Sequence, residues 1–255
     1  MADALDAILA ARLSKQVLAP LGKKLAPKNL EAAYALQLRV AKATGAFPPA
    51  GFKIGATTKV MQDYLGLSGP AAGFVPPGTP QASGAKFRFA DFLGVGVECE
   101  VAVRLGRDVP AGPTTARKIE AAVQDVMAAI EIVEKRYGDL KELGTPTLVA
   151  DQVFHAGGVL ARPPKDWRQI DLGAMRGEMF IDGASRGGGH GRDLLGHPME
   201  ALAWLADSGG AHAFGGLKKG QVVWLGSVIP PLWLDGPCHV EARFEGLGSA
   251  ELTFS

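Results

Sequence analysis

The sequence predicts an α+β protein in which a β-rich core carries an N-terminal helical cap. Three observations lead there. Apolar residues recur at helical spacing before Gly45. After about Phe87 they gather in short, turn-bounded runs rich in β-branched residues. The chain holds 34 glycines and 17 prolines among 255 residues, more breakers than a helical bundle carries. No soft linker divides it, so residues 1–75 read as a cap packed on a core of residues 76–255, one compact unit.

The elements run in order. Leu5, Ile8, Leu9 and Leu13 fall on one helical stripe, and Asn29 to Thr44 forms a second helical run rich in Ala, Leu and Gln. Gly45, Pro48, Pro49, Gly51 and Gly55 then punctuate the chain. Thr58 to Leu65 reads as a short helix ended by Gly66. Val95, Val97, Val101 and Val103 mark an extended strand that stops at Gly106. Thr114 or Thr115 can N-cap a helix running through Asp125. Beyond it the pattern is ambiguous. Ile119, Val123, Val126, Ile130, Val133 and Tyr137 keep a helical spacing, which periodicity slightly favours, while Ile130, Ile132 and Val133 equally suit a strand. Gly158–Arg162, Met175–Asp182, Gln221–Ser227 and Cys238–Glu245 read as strands. Pro198 to Ala206 reads as a helix with proline in its first turn. Gly187 to Gly191 looks like a flexible or close-packed turn.

Composition excludes several function classes. Twenty-seven basic against 26 acidic residues leave a net charge of +1, with no basic excess for nucleic acid or an anionic membrane surface. Two cysteines, Cys99 and Cys238, make no disulfide framework and no CxxC pair. The N-terminus carries acids where a signal peptide carries Lys or Arg. The longest uncharged apolar stretch, Gly220 to Leu234, is broken by Pro230 and Pro231 and falls short of a membrane span. The expectation is a cytoplasmic protein acting on a small molecule. Neither GxGxxG, a P-loop, HExxH nor GxSxG is present, and the five histidines show no zinc spacing.

Three places carry chemistry. In Val97-Glu98-Cys99-Glu100-Val101, strand alternation puts Glu98 and Glu100 on one face about 7 Å apart, with Cys99 opposite. Two acids among valines are either solvated or compensated by a hard cation with oxygen ligands. Glu131 lies inside Ala-Ile-Glu-Ile-Val. It is either a ligand or rides a wet helix edge paired with Lys135 four residues on. Lys53, bracketed by Gly51 and Gly55, either snorkels to the surface or is buried, with its pKa pulled down toward the range of a proton shuttle.

Together these pieces resemble one family, the 2-keto-4-pentenoate hydratase and 4-oxalocrotonate decarboxylase group of the fumarylacetoacetate hydrolase superfamily. The match runs in order over nearly the whole chain. Ala33-Tyr34-Ala35-Leu36-Gln37 is similar to the family's A-Y-x-x-Q helix, and Lys53-Ile54-Gly55 to its K-I-G segment. Leu65-Gly66 through Pro70 to Gly73 fits the family's next loop. Glu98-Cys99-Glu100 resembles the E-x-E strand, and Glu131-Ile132-Val133-Glu134-Lys135-Arg136 the E-I-V-D-S-R segment. Gly189-His190-Gly191 with Leu195-Gly196-His197-Pro198 fits the G-x-G…L-G-H-P helix entry. Gly246-Leu247-Gly248-Ser249 matches the closing G-L-G-S hairpin.

The resemblance implies a curled mixed β-sheet roll with outer helices, like the fumarylacetoacetate hydrolase C-terminal domain. It assigns Glu98, Glu100 and Glu131 as ligands of Mg²⁺ or Mn²⁺, moves Glu131 onto a strand, and makes Lys53 the active-site lysine. Three carboxylate ligands leave open positions on a divalent ion for the carboxylate and 2-keto oxygens of a 2-oxo acid. The metal acts as a Lewis acid on that ketone, and Lys53 moves a proton on the conjugated chain. The implied function is a lyase, hydratase or decarboxylase, on a small unsaturated 2-oxo or 2-hydroxydienoic acid in aromatic catabolism, in a homo-oligomer. A C–C bond hydrolase of acylpyruvates and a catalytically silent partner subunit are the alternatives.

The chain departs from the family pattern at three places. Asp151-Gln152-Val153-Phe154 stands where the family shows D-N-A-S. Leu225-Gly226 replaces Ser/Thr-Gly. His190, Arg192 and Asp193 replace small residues. Gln152, Leu225 and Arg192 are therefore the substrate-binding candidates, with Arg192 either pairing with a substrate carboxylate or, as the ordinary fate of an arginine, lying on the surface. The departures reflect either a pocket reshaped for a bulkier or more apolar 2-oxo acid or drift toward a non-catalytic or partner role; the retention of Glu98, Glu100, Glu131 and Lys53 together favours the first.

Overall fold

The computed structural model describes residues 3–255. It opens with helices α1 (Ala4–Leu13) and α2 (Leu30–Ala43). Asp3 caps α1 by accepting from the Leu5 and Asp6 amides, and Asn29 caps α2 through the Ala32 amide. The α1 stripe is only partly used: Ile8 is buried, whereas Leu13 stands 90 % exposed. The tyrosine and glutamine of α2 fasten the cap. The Ala72 amide donates to the Tyr34 hydroxyl at 3.0 Å, and the Gln37 Nε2 donates to the Ala72 and Val149 carbonyls at 3.0 and 2.6 Å.

Strand β1 (Gly51–Gly55), helix α3 (Lys59–Leu65) and strand β2 (Ala71–Val75) come next. Thr58 caps α3 and Gly66 ends it with φ +66°, as the sequence indicates. Then come β3 (Pro80–Ala82), β4 (Ala85–Phe87), β5 (Val95–Leu105), α4 (Ala116–Glu120) and β6 (Val123–Glu134). After them run α5 (Leu140–Leu143), α6 (Thr145–Ala150), β7 (His155–Leu160), β8 (Arg176–Ile181) and β9 (Ala184–His190). The chain closes with α7 (Pro198–Asp207), α8 (Gly209–Phe214), β10 (Val222–Ser227), β11 (Leu232–Trp233), β12 (Cys238–Phe244) and β13 (Gly248–Phe254).

The strands form two mixed sheets. The larger runs β2-β1-β10-β5-β6-β7-β3, with β11 added on β5; the smaller runs β4-β13-β12-β8-β9. Parallel pairs β1–β10, β3–β7 and β4–β13 are interspersed among antiparallel ones. The outer face of the larger sheet, with Phe52, Val101, Val103, Ile130, Val223 and Leu225, shares one core with the helices and with Val240, Ala250 and Leu252 of the smaller sheet. The opposite face holds a second, smaller cluster built on Ala102, Met127, Ala129, Val222 and Trp224.

Three expectations change. The helix expected through Asp125 stops at Glu120, and Val123–Glu134 is a strand rather than the helix that spacing alone favours. This strand is buried on both faces, so it lacks the alternation that identifies a half-exposed strand. The glycines at 187–189 belong to strand β9 and make no free turn. The boundary at residue 75 cuts through the larger sheet, because β1 and β2 are integral strands of it; the helical cap proper ends with α2.

Asp151 ties the cap to the sheet. It is buried between Arg12 of α1, whose Nε approaches its Oδ1 at 2.6 Å, and Arg136, whose guanidinium also donates to the Asp151 carbonyl at 2.9 Å. Asp151→Asn would leave two largely buried guanidiniums without their counter-charge. A loss of about 3 kcal/mol is expected, seen as a drop in Tm of roughly 6–12 °C for a chain of this size. A Tm within about 2 °C of wild type would contradict this role.

Candidate active site

On β5, Glu98 and Glu100 share a face, with Cys99 buried on the other side. On β6, Glu131 stands directly across from Glu98 in the antiparallel register. Carboxylate oxygens of Glu98, Glu100 and Glu131 come within 4.8 Å of one another. The solvated alternative therefore fails: Glu100 and Glu131 are buried and Glu98 is half-buried. Lys135 does not pair with Glu131; its ammonium lies over the Trp233 ring, 4.7 Å from the centroid.

Lys53 enters from β1, buried, with Nζ 3.1 Å from Glu131 Oε1. The same oxygen lies 2.8 Å from His155 Nδ1. Glu131 Oε2 is buried with no hydrogen-bond partner. Glu100 accepts from the Gly226 amide at 2.9 Å. That amide is freed from the ladder because β10 shifts register between Trp224 and Ser227. Gly226 sits at φ +111°, which glycine adopts without strain.

Electrostatics follow from burial. Burial, then repulsion by Glu131, pushes the Glu98 carboxyl up to about 8. Burial and its two acidic neighbours push Glu100 well above the ordinary range. Burial alone would also raise Glu131, but Lys53 and His155 outweigh it and hold its carboxyl low. Lys53 corrects an expectation: burial pulls its pKa down, yet Glu131, Glu98 and Glu100 outweigh burial, and the net shift is upward. Burial lowers the His155 pKa, outweighing the upward pull of Glu131. Fully ionised, the three carboxylates facing one ammonium would carry an excess of two negative charges, which one divalent cation would offset; without it, Glu98 and Glu100 are pushed toward their protonated forms. The unpartnered Glu131 oxygen and the all-oxygen donor set fit a hard ion.

A stability signature results. An acid whose folded pKa is raised stabilises the fold at low pH and loses that contribution as pH climbs from about 4.5 to about 8. The metal-free Glu98→Gln variant lacks this group and relieves Glu100 of one acidic neighbour, though Glu100 itself remains. Its Tm is expected to gain on metal-free wild type steadily between pH 5 and pH 8, by differential scanning fluorimetry. A constant difference across that window would contradict it.

Beside Lys53 and Glu98 opens a cavity of about 280 Å³, bordered by α3, β11 and the turn after α6. That turn is unusual. Gln152, Val153 and Phe154 have φ of +71°, +51° and +67°, a left-handed run that costs a β-branched residue most. Val153 and Phe154 line the cavity, and the turn delivers His155 to Glu131. A larger open depression of about 740 Å³ lies at the other end of the strands. Its lining holds Arg104, Arg162 and Lys219 but no carboxylate or histidine, so the chemistry belongs to the smaller cavity.

The Fumarylacetoacetate (FAA) hydrolase C-terminal family model matches residues 57–255. The chain belongs to the fumarylacetoacetate hydrolase family. It is 31 % identical over 247 residues to the 2-hydroxyhexa-2,4-dienoate hydratase of Comamonas testosteroni, covering 95 % of this chain and 92 % of that one. It is 32 % identical over 250 residues to the 2-keto-4-pentenoate hydratase of Paraburkholderia phymatum, covering 96 % and 94 %. Within the family it thus groups with hydratases, which are hydro-lyases. Its fold superposes on 4-oxalocrotonate decarboxylase from Pseudomonas putida G7, complexed with magnesium and adipate, with a TM-score of 0.86 at 22 % identity, covering 99 % of this chain and 96 % of that one. Fumarylpyruvate hydrolase from Pseudomonas aeruginosa, in complex with Mn²⁺ and pyruvate, superposes with a TM-score of 0.62 at 14 % identity, covering 80 % and 88 %. The curled mixed sheet is the family's fold.

Measured against this family's pattern, the departures separate. Gln152 does not reach the cavity: its Nε2 donates to the Phe74 carbonyl at 2.6 Å and its Oε1 accepts from Arg12 at 2.6 Å, so its amide holds the turn in place. Leu225 is buried in the outer core, on the opposite sheet face from Trp224, Lys53's cross-strand partner. Arg192 is exposed on the short helical turn after β9 and is absent from the cavity wall. Sequence reasoning missed His155, Trp233, Tyr64 and Met61. His155 carries no local signal, because its partner lies 24 residues away on a neighbouring strand.

Proposed function

We propose that this protein is a divalent-metal-dependent lyase, acting as a hydratase on a small 2-hydroxydienoic or unsaturated 2-oxo acid through an enolate, in the breakdown of aromatic compounds. The observation that carries this reading is the buried group of Glu98, Glu100 and Glu131 with Lys53 beside it at the mouth of an apolar cavity. Glu98, Glu100 and Glu131 would hold the ion, Mg²⁺ or Mn²⁺. When bound, it supplies a Lewis acid for the 2-keto oxygen and a counter-charge for the substrate carboxylate.

The protein's own groups do the rest. Lys53 is kept protonated by its acidic neighbours and is held at Glu131, where it can deliver a proton to the conjugated chain and recover one. His155 holds Glu131 through the same oxygen as Lys53, which leaves its Oε2 without a hydrogen-bond partner. Val153 and Phe154 exclude water from the wall beside Lys53. The hydratase names of the relatives at 31–32 % identity support water addition over loss of CO₂.

Product analysis tests the reaction type. With Mg²⁺ or Mn²⁺, 2-hydroxypenta-2,4-dienoate is expected to give 4-hydroxy-2-oxopentanoate, identified by proton NMR, faster than 4-oxalocrotonate releases CO₂. Faster CO₂ release would replace the hydratase by a decarboxylase, and cleavage of an acylpyruvate alone would replace both by a C–C hydrolase.

A further inference from the structure

The turn that delivers His155 to Glu131 is held from outside the sheet. Gln152, Val153 and Phe154 lie at φ +71°, +51° and +67°, a run that persists only where its surroundings enforce it. Much of that enforcement comes from one side chain of the cap. Arg12 Nε donates to Asp151 Oδ1 at 2.6 Å, and its Nη2 donates to Gln152 Oε1 at 2.6 Å and to the Asp151 carbonyl at 3.3 Å. Gln152 donates in turn to the Phe74 carbonyl of β2. One guanidinium thus grips both residues that lead into the turn.

Arg12 is built to face inward. It follows Ile8 by four residues, so the two share one face of α1. Its side chain is 18 % exposed, whereas Leu13 beside it stands at 90 %. The chain leaving α1 is sewn to the segment that carries Arg136: the Leu18 amide donates to the Arg136 carbonyl at 2.8 Å, and Leu18 bridges to Tyr137. The Tyr137 hydroxyl donates to the Asp151 carbonyl at 2.7 Å. A small cavity of about 280 Å³ is lined by Arg12, Arg136, Gln152 and His155 among others, so the arginine borders the same space as the histidine that the turn delivers. Arg12 is absent from the wall of the cavity beside Lys53; it acts through the turn.

We infer that Arg12 is a positioning residue of the reaction: through this guanidinium the cap helix holds the left-handed turn at 152–154, and with it His155 against Glu131 and Val153 and Phe154 against the cavity. The inference rests on the proposed reading of the three glutamates and Lys53 as a metal-dependent site. Loosening the turn frees His155 from Glu131, whose shared oxygen otherwise holds only Lys53. An outer partner of a metal ligand is worth roughly 10–100-fold in metal affinity or activity. A lysine at position 12 keeps a charge for Asp151 but has no planar fork to span Asp151 and Gln152 at once.

Hydrogen exchange, metal binding and turnover test this together, in Arg12→Lys and in Gln152→Leu, which removes the amide that Arg12 grips. In metal-free protein the amides of residues 151–155 are expected to exchange at least about 10-fold faster than in wild type, while peptides from β5 and β6 keep their wild-type rates. Mn²⁺ affinity, read by electron paramagnetic resonance, and kcat at saturating Mn²⁺ are each expected to fall roughly 10–100-fold. A turn that exchanges at the wild-type rate, or a loosened one with wild-type Mn²⁺ affinity and kcat, overturns the inference and leaves the metal-site reading in place. So does exchange that rises equally in the turn, β5 and β6, which would make Arg12 a support of the whole fold. Wild-type protein that binds no Mn²⁺ and consumes no 2-hydroxydienoic acid overturns that reading and the inference with it.

Discussion

Glu131→Gln is expected to abolish turnover and to weaken Mn²⁺ binding, although the substituted side chain is nearly the same size. Glu131 does three things at once. It is buried, it holds Lys53 at 3.1 Å and His155 at 2.8 Å through one oxygen, and it belongs to the carboxylate cluster with its other oxygen unpartnered. A neutral amide loses the charge that each contact uses. Disordering Lys53 alone would forfeit a general acid–base contribution of roughly 10²–10⁴-fold. Losing a charged ligand should cost metal affinity more than the roughly 10–100-fold that removal of an outer partner costs. Activity by absorbance and Mn²⁺ binding by electron paramagnetic resonance read the two effects separately. Wild-type Mn²⁺ affinity in this variant would remove Glu131 from the ligand set.

Lys53→Met separates chemistry from metal binding. Methionine keeps an unbranched, apolar side chain in a buried position on β1 but carries no proton. Metal binding should persist, because Glu98, Glu100 and Glu131 are untouched. It should even gain, because the cluster loses the ammonium that competes for Glu131. The kcat should fall by roughly 10²–10⁴-fold, the usual worth of a positioned acid–base group. A near-normal kcat with full metal occupancy would take the proton-transfer role from Lys53.

Much of this architecture is legible in the sequence because local chemistry specifies it. Thr58 and Gly66 bracket α3 as a hydroxyl cap and a left-handed glycine must, and the valine spacing of β5 gives both its span and the shared face of Glu98 and Glu100. The E-x-E pair and Lys53 stand out as charges in apolar surroundings. What escapes is long-range. β6 reads as helical because a strand buried on both faces has no polar partner to alternate with. His155 cannot be found by spacing, since strand pairing, not sequence distance, brings it to Glu131. Gln152, Leu225 and Arg192 are candidates by their place in a motif, yet a side chain's direction depends on the turn or strand that carries it. At 152–154 a left-handed turn spends the glutamine on Arg12 and Phe74 and gives the cavity to its two apolar neighbours.

The metal-dependent site for 2-hydroxydienoic acids proposed here stands on the three glutamates and Lys53. It is tested most directly by following the ultraviolet absorbance of 2-hydroxypenta-2,4-dienoate with metal-free protein, with added Mg²⁺ or Mn²⁺, and with EDTA. Loss of the dienoate is expected only when the divalent ion is present, with suppression by EDTA. Unchanged dienoate in the presence of either ion, with no Mn²⁺ bound at the cluster, would contradict it and favour a catalytically silent partner of an active homologue.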